Sequence, residues 1–324
     1  MTSNKDNPKV SIILCVFGYE KYIKETISSI LNQTYTDFEF LIIDDGCNYD
    51  LKQIVNSFND KRILYYKNDI NIGLTKSLLK ALSIARGKYI ARMDAGNISF
   101  LNRIEIQYNF LENHKEIFLI GTSVMLIDEN REEICRIMSN SDFDYVKKAL
   151  PYFNCINHST IMFRNLKNIS YREKFKYSQD YDFYLRLLTD NKKIGNIKEV
   201  LLKERMIKNS ITYTKKEEQA FYENKAREFY KERLKTGKDS YNIFNNNENL
   251  TENVNKNYEN YTFFNRQKAY YLLRSKKLAK TRAFIRESFK QSKELDNKLF
   301  IYYIISFFPF LINILNKIKR IELA

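Results

Sequence analysis

The most informative segment of this chain is Arg92-Met93-Asp94-Ala95-Gly96-Asn97-Ile98, which follows the apolar run Tyr89-Ile90-Ala91. This pattern predicts a buried strand that ends in an acidic turn containing a glycine. The strand would hold the carboxylate of Asp94 still, at a place where a ligand can reach it. A carboxylate there has two uses: it can bind a divalent cation that carries a diphosphate, or it can accept hydrogen bonds from a sugar.

The residues before this segment alternate between strands and helices. Val10–Val16 is a continuous apolar run, which is typical of a parallel strand covered on both faces. Further strands are predicted at 40–43, 62–66 and 88–93, and helices at 22–31, 51–58 and 75–85. Gly87 is expected to close the last of these helices in a left-handed conformation. The order predicts an α/β fold with a doubly wound, mostly parallel sheet, and such sheets bind ligands at the carboxyl ends of their strands.

The chain is strongly basic. Among its 324 residues, Lys and Arg number 54 against 39 Asp and Glu, which gives a net charge of +15. This excess favours polyanionic partners such as phosphates, acidic lipid surfaces or nucleic acid. Because the sequence has no zinc-finger spacing, no RNP-like aromatic string and no helix-turn-helix signature, we do not expect nucleic acid to be the partner.

The cysteines and the N-terminus indicate the compartment. Four cysteines are scattered without Cys-x-x-Cys spacing, which suits a reducing cytoplasm. The polar start of the chain, Met1–Lys9, does not resemble a signal peptide. We therefore expect the protein on the cytoplasmic side of the membrane.

Several segments in one order and spacing carry a resemblance to a known family. They are Val10–Ile13, Ile27–Tyr35, Asp44–Gly46, Gly87–Ala95, His158–Arg164 and Gln179–Leu187. Together they make residues 8–210 similar to the family 2 glycosyltransferases of the GT-A fold. The resemblance implies inverting transfer of a sugar from a nucleoside-diphosphate donor, expected to be a UDP-sugar. It also implies that the acceptor is a glycan or a lipid-linked precursor in cell-surface polysaccharide biosynthesis.

The resemblance implies roles for residues that follow the first two strands. Phe17 takes the position that stacks on the nucleotide base, and Asp45 takes that of a carboxylate that hydrogen-bonds the base. The residues themselves leave alternatives open. Phe17 can instead be a core aromatic residue, and Asp44, the neighbour of Asp45, can be the N-cap of the next helix.

The turn after Asp94 departs from the family pattern. Relatives have Asp-x-Asp, and the later Asp of that motif binds Mg²⁺ or Mn²⁺, but this chain has Gly96 at that position. Glycine offers no side-chain oxygen. Hard cations bind through one or two carboxylates together with phosphates and water, so Asp94 with Asn97 and His158 is one candidate metal site.

A cationic clamp is the alternative to a metal. Arg92, Arg164 or a nearby lysine can neutralise the leaving diphosphate through charge-assisted hydrogen bonds, and Asp94 then faces the hydroxyls of the donor sugar. Gly96 also motivates a rival hypothesis for the whole chain. In that hypothesis the protein is a catalytically impaired relic of the same fold, which binds nucleotide or glycan and acts as a scaffold.

The segment from Gln179 to Leu187 is expected to supply the catalytic base. Inverting transfer needs one carboxylate that removes the proton from the acceptor hydroxyl, and the resemblance places Asp180 in that role. Gln179 replaces a common glutamate, which leaves the base in place but removes one negative charge. Asp180 as a helix N-cap is the alternative. The resemblance also implies that His158, Arg164 and Gln179 lie near the acceptor or the donor phosphates; a structural histidine is the other interpretation of His158.

A GT-A domain at residues 1–212 is predicted to precede a helical region at 213–324. The predicted parts of this region are a charged helix at 214–235, an Asn-rich linker at 236–260, a helix at 265–290 and a terminal helix at 299–320. Leu299–Asn316 is uncharged and is bounded by lysines, which favours a helix lying on an anionic membrane surface. A short membrane span and a helix docked on the catalytic domain are the alternatives. We expect a cytoplasmic protein that is peripheral on the inner face of the cell membrane.

Overall fold

A computed structural model of the chain describes residues 7–208, 210, 214–245, 256–291, 296–308 and 310–313. The chain divides into two compact units. Unit 1 comprises Met1–Met125, Arg136–Glu204 and Glu217–Asn249, and unit 2 comprises Leu126–Cys135, Arg205–Lys216 and Leu250–Ala324. This division differs from the single boundary predicted at residue 212, because the helix that starts at Lys216 packs Tyr222, Ala226 and Phe229 into the core of unit 1.

The N-terminal half of unit 1 follows the predicted alternation. Its elements are β1 Val10–Val16, α1 Glu20–Leu31, β2 Phe38–Asp44, α2 Leu51–Asn56, β3 Ile63–Lys67, α3 Leu74–Ile84 and β4 Tyr89–Asp94. Strand β1 pairs in parallel with both β2 and β4, and β2 pairs in parallel with β3. Each predicted element is present, with ends shifted by up to two residues, and the predicted α/β class is confirmed.

The rest of the sheet is antiparallel where its registers are described. The elements that follow are β5 Ile98–Ser99, α4 Arg103–Asn113, β6 Ile117–Ile127, β7 Glu133–Ile137, α5 Phe143–Ala149, β8 Met162–Arg164, α6 Gln179–Thr189 and β9 Lys193–Arg205. The strand order is β3-β2-β1-β4-β8-β6-β9-β5, and β7 pairs with β6. Strand β8 is antiparallel to both β4 and β6, so the chain reverses direction next to the central strand β4.

The core explains why β1 and β2 are continuous apolar runs. Every residue of β2 is buried, and β1 is buried at every position except Cys15, which is half-buried. Helices cover both faces, as expected for parallel strands. One large cluster on the face of β4 that carries Ile90 includes Phe163 and Phe183, so α6 packs against this face.

Gly87 does not have the conformation predicted for it. Helix α3 ends at Ile84, its C-cap Ala85 is extended with φ −66° and ψ 129°, and Gly87 is not among the residues with positive φ. A Cβ atom on Gly87 would instead lie 2.4 Å from the backbone nitrogen of Ser11. The glycine is needed because the backbone of β1 passes close by.

The C-terminal helices differ from the prediction in their boundaries. They are α7 Lys216–Thr236, α8 Lys256–Arg274, α9 Leu278–Gln291 and α10 Asn297–Ile305. Helix α8 begins inside the predicted linker 236–260, of which residues 246–255 lie outside the described part of the chain. The helix predicted at 265–290 is interrupted near Lys276, which has φ 57°. Helix α10 covers the first part of the predicted terminal helix and ends at Ile305, residues 311–313 are again helical, and residues 309 and 314–320 are outside the described part.

Candidate active site

The ends of three neighbouring strands meet at one edge of the sheet. The register pairs Val16 of β1 with Asp44 of β2, and Cys15 of β1 with Asp94 of β4. The residues that follow these positions therefore share one edge of unit 1. This arrangement brings together three residues that the sequence singled out, namely Phe17, Asp45 and Asp94.

Phe17 is open to solvent, with 56% of its surface exposed. The alternative in which it is a core aromatic residue is therefore wrong. The turn that follows is fixed, because the hydroxyl of Tyr49 donates a 2.6 Å hydrogen bond to the carbonyl of Gly18. This hydrogen bond holds the turn next to Phe17, and the exposed ring can stack on a planar ligand.

Asp45 is buried and holds the loop that follows β3. Its Oδ1 accepts hydrogen bonds from Asn68 Nδ2 at 2.8 Å and from the backbone of Ile72 at 3.0 Å. Its Oδ2 accepts a 3.0 Å bond from the backbone of Gly73. A nucleotide base that hydrogen-bonds to Asp45 would therefore share this carboxylate with the loop after β3.

Asp44 does not cap the following helix, so that alternative is wrong. Its Oδ1 accepts from the backbone of Cys47 at 2.8 Å, and its Oδ2 accepts from the hydroxyl of Tyr65 at 2.5 Å. The N-cap of α2 is Asp50, whose side chain accepts from the backbone of Gln53. Asp44 instead closes the turn after β2.

Arg92 and Asp94 form an ion pair along one face of β4. The guanidinium of Arg92 is 4% exposed, whereas the side chain of Asp94 is 41% exposed. The pair therefore joins a buried positive charge to a carboxylate that faces solvent. Within the described residues, Nε and Nη1 of Arg92 have no hydrogen-bond partner.

A second buried arginine supports the same strand. Arg103 donates from Nη2 to the carbonyl of Arg92 at 2.6 Å and from Nε to Gln107 at 3.0 Å. Burial, together with the charge of Arg92, lowers the pKa of Arg103 to about 9. Arg103 could not be singled out from the sequence, because an arginine at a helix start is usually exposed.

Asp180 lies in the first turn of α6 and is half-buried. The N-cap of this helix is Ser178, with φ 51°, so the alternative in which Asp180 is the N-cap is wrong. Its Oδ2 accepts a 2.8 Å hydrogen bond from Asn154 Nδ2. Burial raises the pKa of Asp180, although Asn154 and Arg92 act in the opposite direction. A raised pKa makes this carboxylate a better proton acceptor near neutral pH.

The imidazole ring of His158 is neutral and is hydrogen-bonded to a tyrosine. Its Nε2 lies 2.8 Å from the hydroxyl of Tyr171. Burial, together with the charge of Arg92, holds the pKa of His158 well below its ordinary value. The ring therefore acts through hydrogen bonding and not through charge.

Glu204 is a carboxylate that the sequence did not single out. It lies near the end of β9, and its Oε2 accepts a 2.6 Å hydrogen bond from Asn157 Nδ2. Burial, assisted by the charge of Asp94, raises the pKa of Glu204 to about 7, although Asn157 and Arg92 lower it. Its neighbours Lys203 and Arg205 are also charged, so the sequence has no local signal that distinguishes Glu204 from them.

The charge of Arg92 joins these groups into one centre. Its guanidinium influences the pKa of residues from β1, the following turn, the segment 158–171, α6 and β9: Cys15, Tyr19, His158, Tyr171, Asp180, Tyr184 and Glu204. Arg92 is paired with Asp94 and also lowers the pKa of Asp180, so both carboxylates lie within the electrostatic influence of one buried cation.

Arg164 does not lie near this centre, which corrects its predicted place. It pairs with Tyr89 at the start of β4, and Asp94 is at the other end, about 16 Å away at the usual rise of a strand. The guanidinium donates to the carbonyls of Ile117 at 2.9 Å and Leu111 at 2.7 Å, and to the hydroxyl of Tyr89 at 2.8 Å. Arg164 is therefore a structural residue. Gln179 is buried beside Asp180, and its role stays a prediction.

The donor set does not fit a resident Mg²⁺ or Mn²⁺ ion. Gly96 supplies no side-chain oxygen, Asp94 is paired with Arg92, and the Nε2 atom of His158 is engaged by Tyr171. Within the described part of the chain, no group of three or more His, Cys, Asp or Glu side chains is placed to hold a metal ion. The described side chains of Asp94, Asn97 and His158 therefore do not form the metal site predicted from them.

Comparison with known proteins identifies the family of this chain. Residues 11–169 match the family described as Glycosyl transferase family 2. The chain is 37% identical over 239 residues to the O-antigen biosynthesis glycosyltransferase WbnJ of Escherichia coli, covering 70% of this chain and 91% of that protein. It is 30% identical over 188 residues to the UDP-Glc:alpha-D-GlcNAc-diphosphoundecaprenol beta-1,3-glucosyltransferase WfaP of Escherichia coli, covering 58% and 73%.

The fold has solved counterparts. The structure of TarS residues 1–349 from S. aureus in complex with UDP-GlcNAc superposes with a TM-score of 0.53 at 15% identity, covering 85% of this chain and 83% of that one. This likeness concerns the fold alone. With the sequence matches, it shows that the chain belongs to the family 2 glycosyltransferases and has the GT-A fold.

Proposed function

We propose that this glycosyltransferase transfers one sugar, with inversion, from a UDP-sugar to a hydroxyl group of a glycan or lipid-linked acceptor. The observation that carries the proposal is the placement of Asp180. Its carboxylate has a raised pKa and lies within the influence of the same buried Arg92 that pairs with Asp94 at the end of β4. Arg92 thus acts on both Asp94, the carboxylate proposed to face the donor sugar, and Asp180, the proposed base.

In the proposed reaction, Asp180 removes the proton from the acceptor hydroxyl as its oxygen attacks the anomeric carbon of the donor sugar. A bond forms between that oxygen and the anomeric carbon. The bond from the anomeric carbon to the β-phosphate oxygen breaks, and the nucleoside diphosphate leaves with the electron pair. Because attack and departure occur on opposite faces, the configuration inverts.

The donor would lie across the strand ends. Phe17 is exposed and can stack on the base, and Asp45 can accept a hydrogen bond from it. Asp94 faces solvent and can accept hydrogen bonds from sugar hydroxyls. The positive charge of Arg92, held in a region of low dielectric, favours the negative charge that develops on the leaving diphosphate.

The cellular role is proposed from two relatives. One is named for O-antigen biosynthesis, and the other for glucosyl transfer to a diphosphoundecaprenol-linked sugar. Both names are consistent with a role for this chain in cell-surface polysaccharide biosynthesis on a lipid-linked precursor.

We propose that the enzyme works on the inner face of the cell membrane. On and just after α10, the large apolar side chains Phe300, Ile301, Ile304, Phe307, Phe308 and Phe310 are exposed. Lys298 lies at the start of the same helix. An apolar surface beside basic residues suits an anionic lipid interface. Among the helices in the described ranges, none has the length and hydropathy to cross a bilayer.

The proposal is tested by incubating the protein with a panel of UDP-sugars and lipid-linked or glycoside acceptors while UDP release is measured. We expect release that depends on the acceptor for wild-type protein, and its loss in Asp180→Asn with folding retained. Vesicles containing phosphatidylglycerol should bind wild-type protein, whereas a variant with Phe307 and Phe308 changed to Ser should bind them less.

The second candidate is a relic that binds nucleotide or glycan without turnover. Gly96 favours it, because the usual metal-binding carboxylate is missing there. Under this hypothesis, a UDP-sugar raises the melting temperature of the protein but no donor is consumed with any acceptor. Acceptor-dependent UDP release excludes it.

A further inference from the structure

The segment between α5 and β8 exposes two aromatic rings next to the proposed base. Tyr152 is 77% exposed and Phe153 is 36% exposed. Asn154, the next residue, donates the hydrogen bond to Asp180. Since consecutive Cα atoms are about 3.8 Å apart, both rings start within about 8 Å of the Cα atom of the residue that holds the base. Neither ring is needed for the core.

The segment is held in place on two sides. The backbone nitrogens of Tyr152 and Phe153 donate to the carbonyl of Ala149 at 2.9 and 3.1 Å, which ties the segment to the end of α5. The carbonyl of Tyr152 accepts a 3.3 Å hydrogen bond from Arg227 of α7. The aromatic rings therefore project from a fixed backbone, as a preorganised contact surface requires.

Helix α7 carries two charged side chains near the start of α6, namely Glu223 and Arg227. Burial raises the pKa of Glu223, and the charge of Asp180 acts in the same direction, so the two carboxyl groups influence one another. Arg227, one turn further along α7, lies over the ring of Tyr181 at 5.7 Å. Asn154, Glu223 and Arg227 thus add hydrogen-bonding groups to the part of unit 1 that holds Asp180.

We propose that Tyr152, Phe153, Asn154 and Glu223 form the acceptor subsite and that its occupant is a neutral sugar ring. This inference rests on the proposed function. The apolar C–H face of a pyranose can lie on the exposed rings, while its hydroxyls donate to Glu223 and Asn154 and the reacting hydroxyl meets Asp180. The carboxyl groups of Asp180 and Glu223 can accept hydrogen bonds from sugar hydroxyls, and the positive charge of Arg227 offsets part of their negative charge, so a neutral ring fits this place.

This assignment separates acceptor from donor. The proposed contacts to the nucleotide base and the diphosphate come from the ends of β1, β2 and β4. The proposed acceptor contacts come from other elements, namely the segment 152–154, which is bonded to Asp180, and α7. Residues that touch only the acceptor should therefore change the KM of the acceptor more than that of the donor.

The chain offers a direct binding test, because it contains no tryptophan. Tyr152→Trp introduces a single reporter into the proposed subsite. Tyr145→Trp, at an exposed tyrosine of α5, is the matched control. Methyl glycosides of glucose, galactose, N-acetylglucosamine and rhamnose, and chitobiose, are titrated into each variant with UDP present. We expect a saturable change in fluorescence for the 152 variant alone. No saturable change with any of these glycosides, or an equal change in both variants, overturns the proposal.

A kinetic test distinguishes this proposal from the proposed function. With an acceptor that wild-type protein uses, Tyr152→Ala should raise the acceptor KM by about tenfold, the size expected for an aromatic contact. Tyr152→Phe should retain the wild-type KM, and Tyr145→Ala serves as the surface control. If wild-type protein transfers sugar but the double change Tyr152→Ala and Phe153→Ala leaves the acceptor KM unaltered, the subsite is wrong and the proposed function stands. If wild-type protein consumes no donor, the proposed function fails instead.

Discussion

Replacing Glu204 by Gln should stabilise the protein, and the gain should grow as the pH rises. Burial and the charge of Asp94 raise the pKa of Glu204 from 4.5 to about 7 in the folded protein. The unfolded chain holds this residue in water with an ordinary pKa. Between these two values the folded state binds a proton that the unfolded state has lost, so ionisation of Glu204 opposes folding.

The size of the effect follows from the two pKa values. With pKa values of about 7 folded and about 4.5 unfolded, the destabilisation by Glu204 is about 1 kcal/mol near pH 5.5 and about 3 kcal/mol near pH 8.5. Gln does not titrate and can still accept a hydrogen bond from Asn157. The advantage of the Glu204→Gln variant over wild type should therefore increase by about 2 kcal/mol between these two pH values.

The assay is urea unfolding of wild-type and variant protein at the two pH values, followed by circular dichroism. Glu199→Gln is the matched control, because Glu199 is an exposed glutamate on the same strand. The control difference should not change with pH. A Glu204→Gln advantage that is equal at both pH values, or that is larger at the lower one, would refute the assignment of a buried, late-titrating carboxyl group.

Three further predictions concern the site and its support. Asp180→Asn should lower kcat by a factor of about 10² to 10⁴, the usual contribution of a general base, with a melting temperature no lower than that of wild type, because burial disfavours the charged form of Asp180 and Asn carries no charge; residual activity close to wild type would mean that another group takes the proton. Arg164→Met should lower the free energy of unfolding by about 3 kcal/mol, because it leaves buried carbonyl groups without their donor. At a temperature where this variant stays folded, its KM for the donor should equal that of wild type. A raised KM would mean that Arg164 contacts the donor phosphates after all. Finally, wild-type rates of UDP release in EDTA and in Mn²⁺ should agree, since the turn at Gly96 lacks the carboxylate of a metal site; activity that disappears in EDTA would show that a cation binds after all.

The donor side of the fold was predictable because it is local. Strands β1, β2 and β3 are short, mostly apolar runs that are each followed by a helix, β4 is a further run of this kind, and parallel pairing places the ends of such strands at one edge. The neighbouring positions of Phe17, Asp45 and Asp94 follow from that rule. Hydrophobic periodicity, together with the residue types that begin and end helices and strands, is enough to predict this part of the fold.

The errors have a different origin, since they depend on pairing between distant segments. Arg164 comes shortly after His158 in the sequence, but β8 runs antiparallel to β4 and carries it to the opposite edge. Glu204 escaped notice because β9 returns to the sheet about a hundred residues after β4, and no local pattern shows which charged residue of a strand will be buried. Gly87 was assigned to helix termination because its contact with β1 is not visible in the sequence.

The most direct test of the central claim is the stereochemistry of the product. Wild-type protein is incubated with an α-linked UDP-sugar and the acceptor that supports UDP release, and the anomeric proton coupling of the new linkage is measured by NMR. A base at Asp180 that activates the acceptor on the face opposite the leaving diphosphate predicts a β-linked product, formed by wild type and not by Asp180→Asn. An α-linked product, or equal product from both proteins, would contradict this account.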